Sequence, residues 1–307
     1  MMRYLIQIFF CVGWWANAFQ SQGVAKPGHN WLPLFGLASS QDHNGSEDGA
    51  PVHLAYRGGG IFFYWQAGVI TYLREQGYDL SKTSSTGASA GALTATLTAC
   101  DVDFYKATDL ALEMAKEAGV WDRPGGLQGV WGPLIREWLD TLLPANAVAR
   151  MKEHDASILI TPFPLLGKER ICSFTDRQDL IDCNMASVHI PLFLDRQFTA
   201  KFRSQDYIDG SILSKSDDYK SLDKCTSTLY LDHSLDSKYN SKSILEFVRA
   251  LEPDGIYSMI EDGKKYGKLI EEEGAFSDVP LIESPSRIIA KAVSIFMRGN
   301  RSAFGQN

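Results

Sequence analysis

The stretch Ser84-Ser85-Thr86-Gly87-Ala88-Ser89-Ala90-Gly91-Ala92-Leu93 constrains the fold more than any other. It reads as a short strand that turns abruptly into a helix, with one serine at the bend. Gly87 and Gly91 flank Ser89 in G-x-S-x-G spacing. The need for that spacing is steric: a serine at a strained strand-to-helix turn projects its hydroxyl into a cleft, and glycines two residues either side let strand and helix approach without a Cβ clash. The helix expected from Ala90 to about Cys100 is built from small residues, and its first amides would face any oxyanion formed beside the hydroxyl. An isolated G-x-S-x-G also occurs at plain Gly/Ala/Ser-rich helix starts, so its meaning depends on what surrounds it.

Upstream, Val52 to Tyr56 alternates as a β-strand and delivers the chain into Arg57-Gly58-Gly59-Gly60. Three glycines between a strand and a helix leave bare amides open to an anion. The next helix, about Phe62 to Glu75, carries Trp65, Val69, Tyr72 and Leu73 at helical spacing and stops at Gly77. Such turns also bind nucleotides, but this one lacks the G-x-x-x-x-G-K-[ST] pattern, and the third glycine of a dinucleotide fold would fall at Phe63.

Downstream, Asp103 to Ala118 and Leu134 to Leu143 read as amphipathic helices separated by a Gly/Trp-rich turn from Trp121 to Gly132. Short apolar strands are expected at Ser157 to Thr161 and Ile171 to Phe174, then a helix from about Asp176 to Ala186 leading to His189-Ile190-Pro191. Tyr207-Ile208-Asp209-Gly210-Ser211 reads locally as a turn, followed by an exposed polar loop to about Lys224. Thr228 to Leu231 is a further strand, and Tyr257 to Glu272 a helix with Ile260, Lys264, Gly267 and Leu269 near one face. This alternation predicts a three-layer α/β/α sandwich around a mostly parallel sheet.

At 307 residues, 45% of them hydrophobic and 22% charged, the chain has an ordinary globular composition that can bury a large core. A net charge of -7, with no run of Lys and Arg interleaved with aromatics, argues against nucleic acid as a partner. Five cysteines (Cys11, Cys100, Cys172, Cys183, Cys225) are too few and scattered for a disulfide framework and read as mostly buried thiols. The six histidines form no H-x-x-x-H or H-E-x-x-H pair, so no metal and no cofactor is expected.

The ends have their own character. Residues 1–18 combine Arg3, a short apolar run and Ala16-Asn17-Ala18, the parts of a secretory signal. Ala16 to Phe19 also resembles the cleavage box of two-part plastid-targeting leaders, and an unprocessed anchor on a cytoplasmic, lipid-associated protein stays open. Residues 19–50 read as a flexible linker, 51–283 as the folded domain, and 284–307 as a basic amphipathic C-terminal segment. There Arg287, Lys291, Arg298 and Arg301 accompany a broad apolar face that suits either a lipid surface or the core.

Taken together, the Gly58-Gly59-Gly60 turn, the Gly87-Ala88-Ser89-Ala90-Gly91 elbow and a late Asp209-Gly210 resemble the patatin-like phospholipases from roughly Val52 to Phe276. The closest likeness is to the adiponutrin and adipose triglyceride lipase branch, through Tyr72-Leu73-Arg74-Glu75, Gly87 to Ala95, and Ile190-Pro191 ahead of Tyr207-Ile208-Asp209-Gly210. The resemblance implies a serine lipid acyl hydrolase in which Ser89 is the nucleophile and Asp209 accepts its proton. Amides of Gly58, Gly59, Gly60 and Ala90 would form the oxyanion hole. It also implies a lipid substrate at a membrane or lipid-droplet surface and leaves room for a protein co-activator. Two positions depart from the family pattern: Phe63 stands where a third glycine is usual, and Ser211 follows Asp209-Gly210 in place of Gly or Ala. Three alternatives remain: a Ser-Asp-His triad using His233, which otherwise reads as a surface histidine at a strand end; a catalytically weak or inactive lipid-binding relative; and a nucleotide-binding protein. His189, next to Ile190-Pro191, reads as structural.

Overall fold

The computed structural model describes residues 52–223, 226–240 and 247–282. The expected leader, the linker, the basic C-terminal segment, Cys11 and Cys225 lie outside the described residues. Strand β1 (Val52–Tyr56) is buried along its whole length. It runs through the glycine turn and a 3-10 turn (Gly60–Phe62) into α1 (Phe63–Gln76), which ends where Gly77 takes a φ of 81°. Strand β2 (Thr83–Ala88) then turns directly into α2 (Ala90–Ala99). All ten residues of α2 are buried, and their small side chains let it lie against β1, β2 and β3 (Ala156–Pro162).

Strand β7 (Ser227–Leu231) pairs with β1, β1 with β2, and β2 with β3, all in parallel. On the far side of β3 the direction reverses. Both β4 (Glu169–Ile171) and the hairpin of β5 (Ala200–Phe202) with β6 (Gln205–Ile208) run antiparallel. The result is a seven-stranded, mostly parallel sheet in an α/β sandwich, the class that the alternation predicts. Parallel strands that end together put the Gly58 turn and Ser89 on one edge, where ligands of open α/β sheets bind. The register of β6, with Ile208 opposite Thr161, sets the following Asp209 beside β3.

The remaining helices are α3 (Phe104–Glu117), α4 (Trp131–Leu142), α5 (Ala147–Glu153), α6 (Arg177–Ser187) and α7 (Pro253–Glu272). Asp103 and Asp176 cap α3 and α6 by accepting backbone N–H bonds. Helices α1 and α7 touch backbone to backbone: a Cβ on Gly68 would lie 2.0 Å from the Ile260 carbonyl, and one on Gly263 would lie 2.0 Å from that of Trp65.

Several local expectations are corrected. The strand expected at Ile171 to Phe174 sits earlier, at Glu169–Ile171, because the antiparallel partner of β3 is fixed by register and not by apolarity. Helix α5 and the β5–β6 hairpin are too short to leave a periodic signal in the sequence. Leu269 is 53% exposed, off the buried face of α7, and Cys172 is exposed whereas Cys100 and Cys183 are buried. The segment after Asp209 is only in part the exposed loop expected: Lys215, Ser216, Asp217 and Lys220 are exposed, but Ser211, Ile212, Ser214 and Tyr219 are buried. Tyr219 covers the sheet face formed by Ala55, Ala88 and Leu159. On strand positions of the same parity, His53 hydrogen-bonds to Ser84 Oγ (2.7 Å) and Thr86 Oγ1 (2.9 Å), and Thr86 to Ser157 Oγ (2.8 Å).

Candidate active site

Ser89 is held by backbone. It joins β2 to α2 with φ 54° and ψ -127°, a conformation that costs a non-glycine residue about 1 to 3 kcal/mol and persists only where its surroundings enforce it. The enforcement is visible in the flanking glycines. A Cβ on Gly91 would lie 2.0 Å from the Tyr56 carbonyl, and one on Gly87 would lie 2.1 Å from the Gly91 carbonyl. The first turn of α2 is thus pressed onto the ends of β1 and β2. The Ser89 amide donates to Ser187 Oγ at 2.9 Å, and that hydroxyl donates to the Leu159 carbonyl at 2.7 Å. Ser89 Oγ donates to Asp209 Oδ2 at 2.6 Å.

Asp209 is fully buried at the end of β6. Its Oδ1 accepts from the Ser211 amide (2.8 Å) and the Ser211 hydroxyl (2.6 Å). Its own amide donates to the His189 carbonyl at 2.8 Å, and its carbonyl accepts from Thr161 Oγ1 at 2.9 Å. The Gly210 amide donates to the Ser187 carbonyl at 2.8 Å, so Ser187 ties the two halves of the site together. Burial pushes the Asp209 carboxyl above the usual range, opposed by the hydrogen bonds from Ser211 and Ser89 and by the charge of Lys168. A carboxylate raised in this way is a better base toward a hydroxyl than one in water.

The three glycines of the turn have different neighbours. A Cβ on Gly58 would lie 2.5 Å from Ser211 Cβ and 3.1 Å from Ser89 Cβ, which places this residue between the two side chains. Gly60, at φ 54°, lines a pocket together with Ser89 and Ala90. Gly59 backs onto His233, whose ring would lie 3.0 Å from an added Cβ. His233 is therefore not the surface histidine expected. Its 3-10 turn (His233–Leu235) folds the ring inward, where it stacks on Phe62 at 4.0 Å. Burial pushes it down to about 4, so it is neutral at pH 7. Among the described residues it makes no hydrogen bond to Ser89 or Asp209, and Nδ1 has no hydrogen-bond partner, its nearest charged neighbour being Asp232 Oδ1 at 3.7 Å.

The pocket beside Ser89 has a cavity volume of about 100 Å³. Its walls are apolar, among them Phe63, Leu93, Trp131, Trp138, Val188 and Leu194. Phe63, where the family pattern has glycine, packs against Trp138 and Phe104 with ring centroids at 5.6 and 5.9 Å. Its aromatic bulk thus forms part of the pocket wall. The amphipathic faces read from sequence on α3 and α4 contribute to a cavity as well as to the core.

All the expected site residues lie on one edge of the sheet. Sequence reasoning missed Ser187, Thr161 and Lys168, and saw Ser211 only as a small replacement; Ser187 and Thr161 are single hydroxyls, 98 and 48 residues from the groups they hold. Among the described residues no cluster of three or more His, Cys, Asp or Glu is placed to hold a metal ion, and no helix is long and apolar enough to cross a membrane.

The chain is similar in structure to VipD from Legionella pneumophila, with 16% identity and a TM-score of 0.37 over 59% of this chain and 49% of that one. The chain thus spans about half of VipD. No curated protein matches it. The family model described as patatin-like phospholipase matches residues 54–217, more than half of the 307 residues and including the glycine turn, the elbow and Asp209. The chain belongs to the patatin-like phospholipase family.

Proposed function

We propose that the protein hydrolyses carboxylic esters of acylglycerols or phospholipids through a Ser89–Asp209 dyad, as a member of the adiponutrin and adipose triglyceride lipase-like branch. The observation that carries this reading is the 2.6 Å hydrogen bond from Ser89 Oγ to a buried carboxylate, made at a strained elbow that opens on an apolar pocket. In the first step Ser89 Oγ attacks the ester carbonyl while its proton passes to Asp209 Oδ2. The tetrahedral oxyanion is met by amides of the Gly58 to Gly60 turn and of Ala90, at the positive end of α2. Collapse expels the alcohol, which takes the proton from Asp209 and leaves an acyl group on Ser89. Water then attacks the acyl-serine, giving its proton to Asp209, and the fatty acid departs as Ser89 recovers its hydrogen.

The pocket suits an acyl chain, since each buried methylene contributes about 0.8 kcal/mol. The substrate would be taken from a membrane or lipid-droplet surface. The test is a panel of lipid esters offered to the purified protein and to Ser89→Ala. Turnover should fall by about a thousandfold or more in the variant, and a fluorophosphonate should label wild type at Ser89 alone. Residual activity above about a tenth of wild type would remove Ser89 from the mechanism, since losing the nucleophile costs orders of magnitude more.

A further inference from the structure

Lys168 lies in the loop between β3 and β4, half-buried, with its ammonium turned into the segment that carries Asp209. Nζ donates to Thr161 Oγ1 at 2.7 Å, to the Gly210 carbonyl at 3.1 Å, and to the Ile212 carbonyl. Thr161 Oγ1 in turn donates to the Asp209 carbonyl at 2.9 Å. Three donors of one ammonium therefore meet three acceptors, one beneath Asp209 and two in the turn that follows it. No carboxylate pairs with Nζ among the described residues, so this half-buried cation is held by three neutral oxygens without a salt bridge. An arrangement of this kind is costly unless something uses the charge or the three bonds.

We propose that Lys168 is a positioning residue for ester hydrolysis: it clamps the turn 209–212 so that Asp209 stays on Ser89, and it supplies the positive charge beside that carboxylate. This rests on the Ser89–Asp209 reading above. Asp209 is faced by Lys168 from the β3–β4 loop, by His189 from the segment after α6, by Tyr219 from the 3-10 turn Ser216–Tyr219, and by the hydroxyls of Ser89 and Ser211. Burial lowers His189 and pushes Tyr219 up to about 12, so both are neutral near pH 7. Lys168 is itself faced by Asp209 and Asp218, and shares a recess with Arg170. Burial brings the ammonium down to about 8, against the pull of those two carboxylates.

The experiment compares wild type, K168M and K168R on a soluble short-chain ester across pH, beside a 13C NMR titration of the Asp209 carboxyl assigned with D209N. In K168M, kcat should fall about tenfold or more with KM within about twofold, because a misplaced base slows chemistry and not binding. The acid limb of kcat/KM and the carboxyl titration should both move up by about one pH unit, since a neighbouring cation favours the charged form. K168R keeps the charge and should return both to within a few tenths of a unit of wild type. An unmoved limb and titration in folded K168M, or a K168R displaced as far as K168M, overturns the proposal. Should K168M fail to fold, K168R decides through the alkaline side: wild type should lose activity above about pH 8 as the ammonium deprotonates, and K168R should not. Coincident alkaline limbs would overturn the proposal. Absence of Ser89-dependent turnover in wild type would instead overturn the hydrolase reading, and the carboxyl titration would then decide the role of Lys168 by itself.

Discussion

Ser89 and Asp209 meet at 2.6 Å but are held there by different means. Ser89 is placed by main chain: two strand ends, a helix start and glycines that admit no Cβ. Asp209 has main-chain anchors too, its amide on the His189 carbonyl and Gly210 packed on the Leu159 carbonyl, but its carboxylate and carbonyl are held by side chains: Thr161 from a remote strand, Lys168 through the following turn, and neighbouring Ser211. The nucleophile is therefore set chiefly by the path of the chain, whereas the carboxylate of the base has side-chain partners that can be altered one at a time with the fold left standing. A backbone device is rigid and fails all at once. A set of side-chain hydrogen bonds can be weakened one at a time, which makes it the adjustable half of the site.

The comparison breaks most visibly at Gly91. Alanine there would put a methyl group 2.0 Å from the Tyr56 carbonyl, and that atom is backbone at a strand end with no room to retreat. Gly91→Ala should cost more than about 4 kcal/mol and leave little folded protein, as seen by circular dichroism and thermal melting. A well-folded Gly91→Ala with a Tm within a few degrees of wild type would show that the elbow is softer than its geometry implies.

The same contrast explains what was legible in the sequence. Glycine at fixed spacing is a local signal, so the elbow, the Gly58 turn and helix α2 could be read from a window of a few residues. Asp209 was found only through resemblance, because Asp-Gly by itself is an ordinary turn. Lys168 and Ser187 had no local signature. Each acts across the fold, and neither a loop lysine nor a serine at a helix end stands out. His233 was misread for a related reason: its position after a strand suggests the surface, and only the inward turn at Asp232 and the stack on Phe62 bury it. Strand β3 announced itself by an apolar run and β2 by the elbow that follows it, while the β5–β6 hairpin, carrying Lys201 and Asp206, had neither signal.

A smaller effect sharpens the comparison from the other side. Ser211→Ala removes a hydroxyl that donates to Asp209 Oδ1 at 2.6 Å but keeps the amide that donates to the same oxygen at 2.8 Å. The fold should survive, with a loss of about 1 kcal/mol. Because the lost bond favours the charged carboxylate, its removal raises the Asp209 pKa, and the acid limb of kcat/KM should move to higher pH. A pH–rate profile beside a thermal melt measures both. A profile superimposable on wild type would mean that Ser211 fills space without tuning the base.

The smallest expected change in activity is at His233, which lies behind the glycine turn and belongs to neither half of the dyad. His233→Phe keeps a ring stacked on Phe62, removes a buried Nδ1 that makes no hydrogen bond and leaves Asp232 paired with Arg57, so activity at pH 7 should stay within about threefold of wild type. A loss beyond about a hundredfold, with the fold intact, would place an imidazole in the mechanism, since general bases contribute about that much or more. Stability gives a second readout with a definite sign. His233 is held neutral, with its pKa pushed down to about 4, whereas an unfolded histidine titrates near 6.5. The unfolded chain therefore binds more protons between those values, and the stability present above pH 6.5 is lost as pH falls toward 4. By pH 5 the loss is about 2 kcal/mol for a single such group. His53, also pushed down to about 4, adds a similar amount and is untouched by the substitution. His189 and His154 are lowered by burial as well, so the drop in Tm between pH 7 and pH 5 should be smaller in His233→Phe but not abolished, against a gain from protonating Asp209 that both proteins share. An undiminished drop would mean that His233 is already charged in the folded protein, and the triad would then have to be considered again.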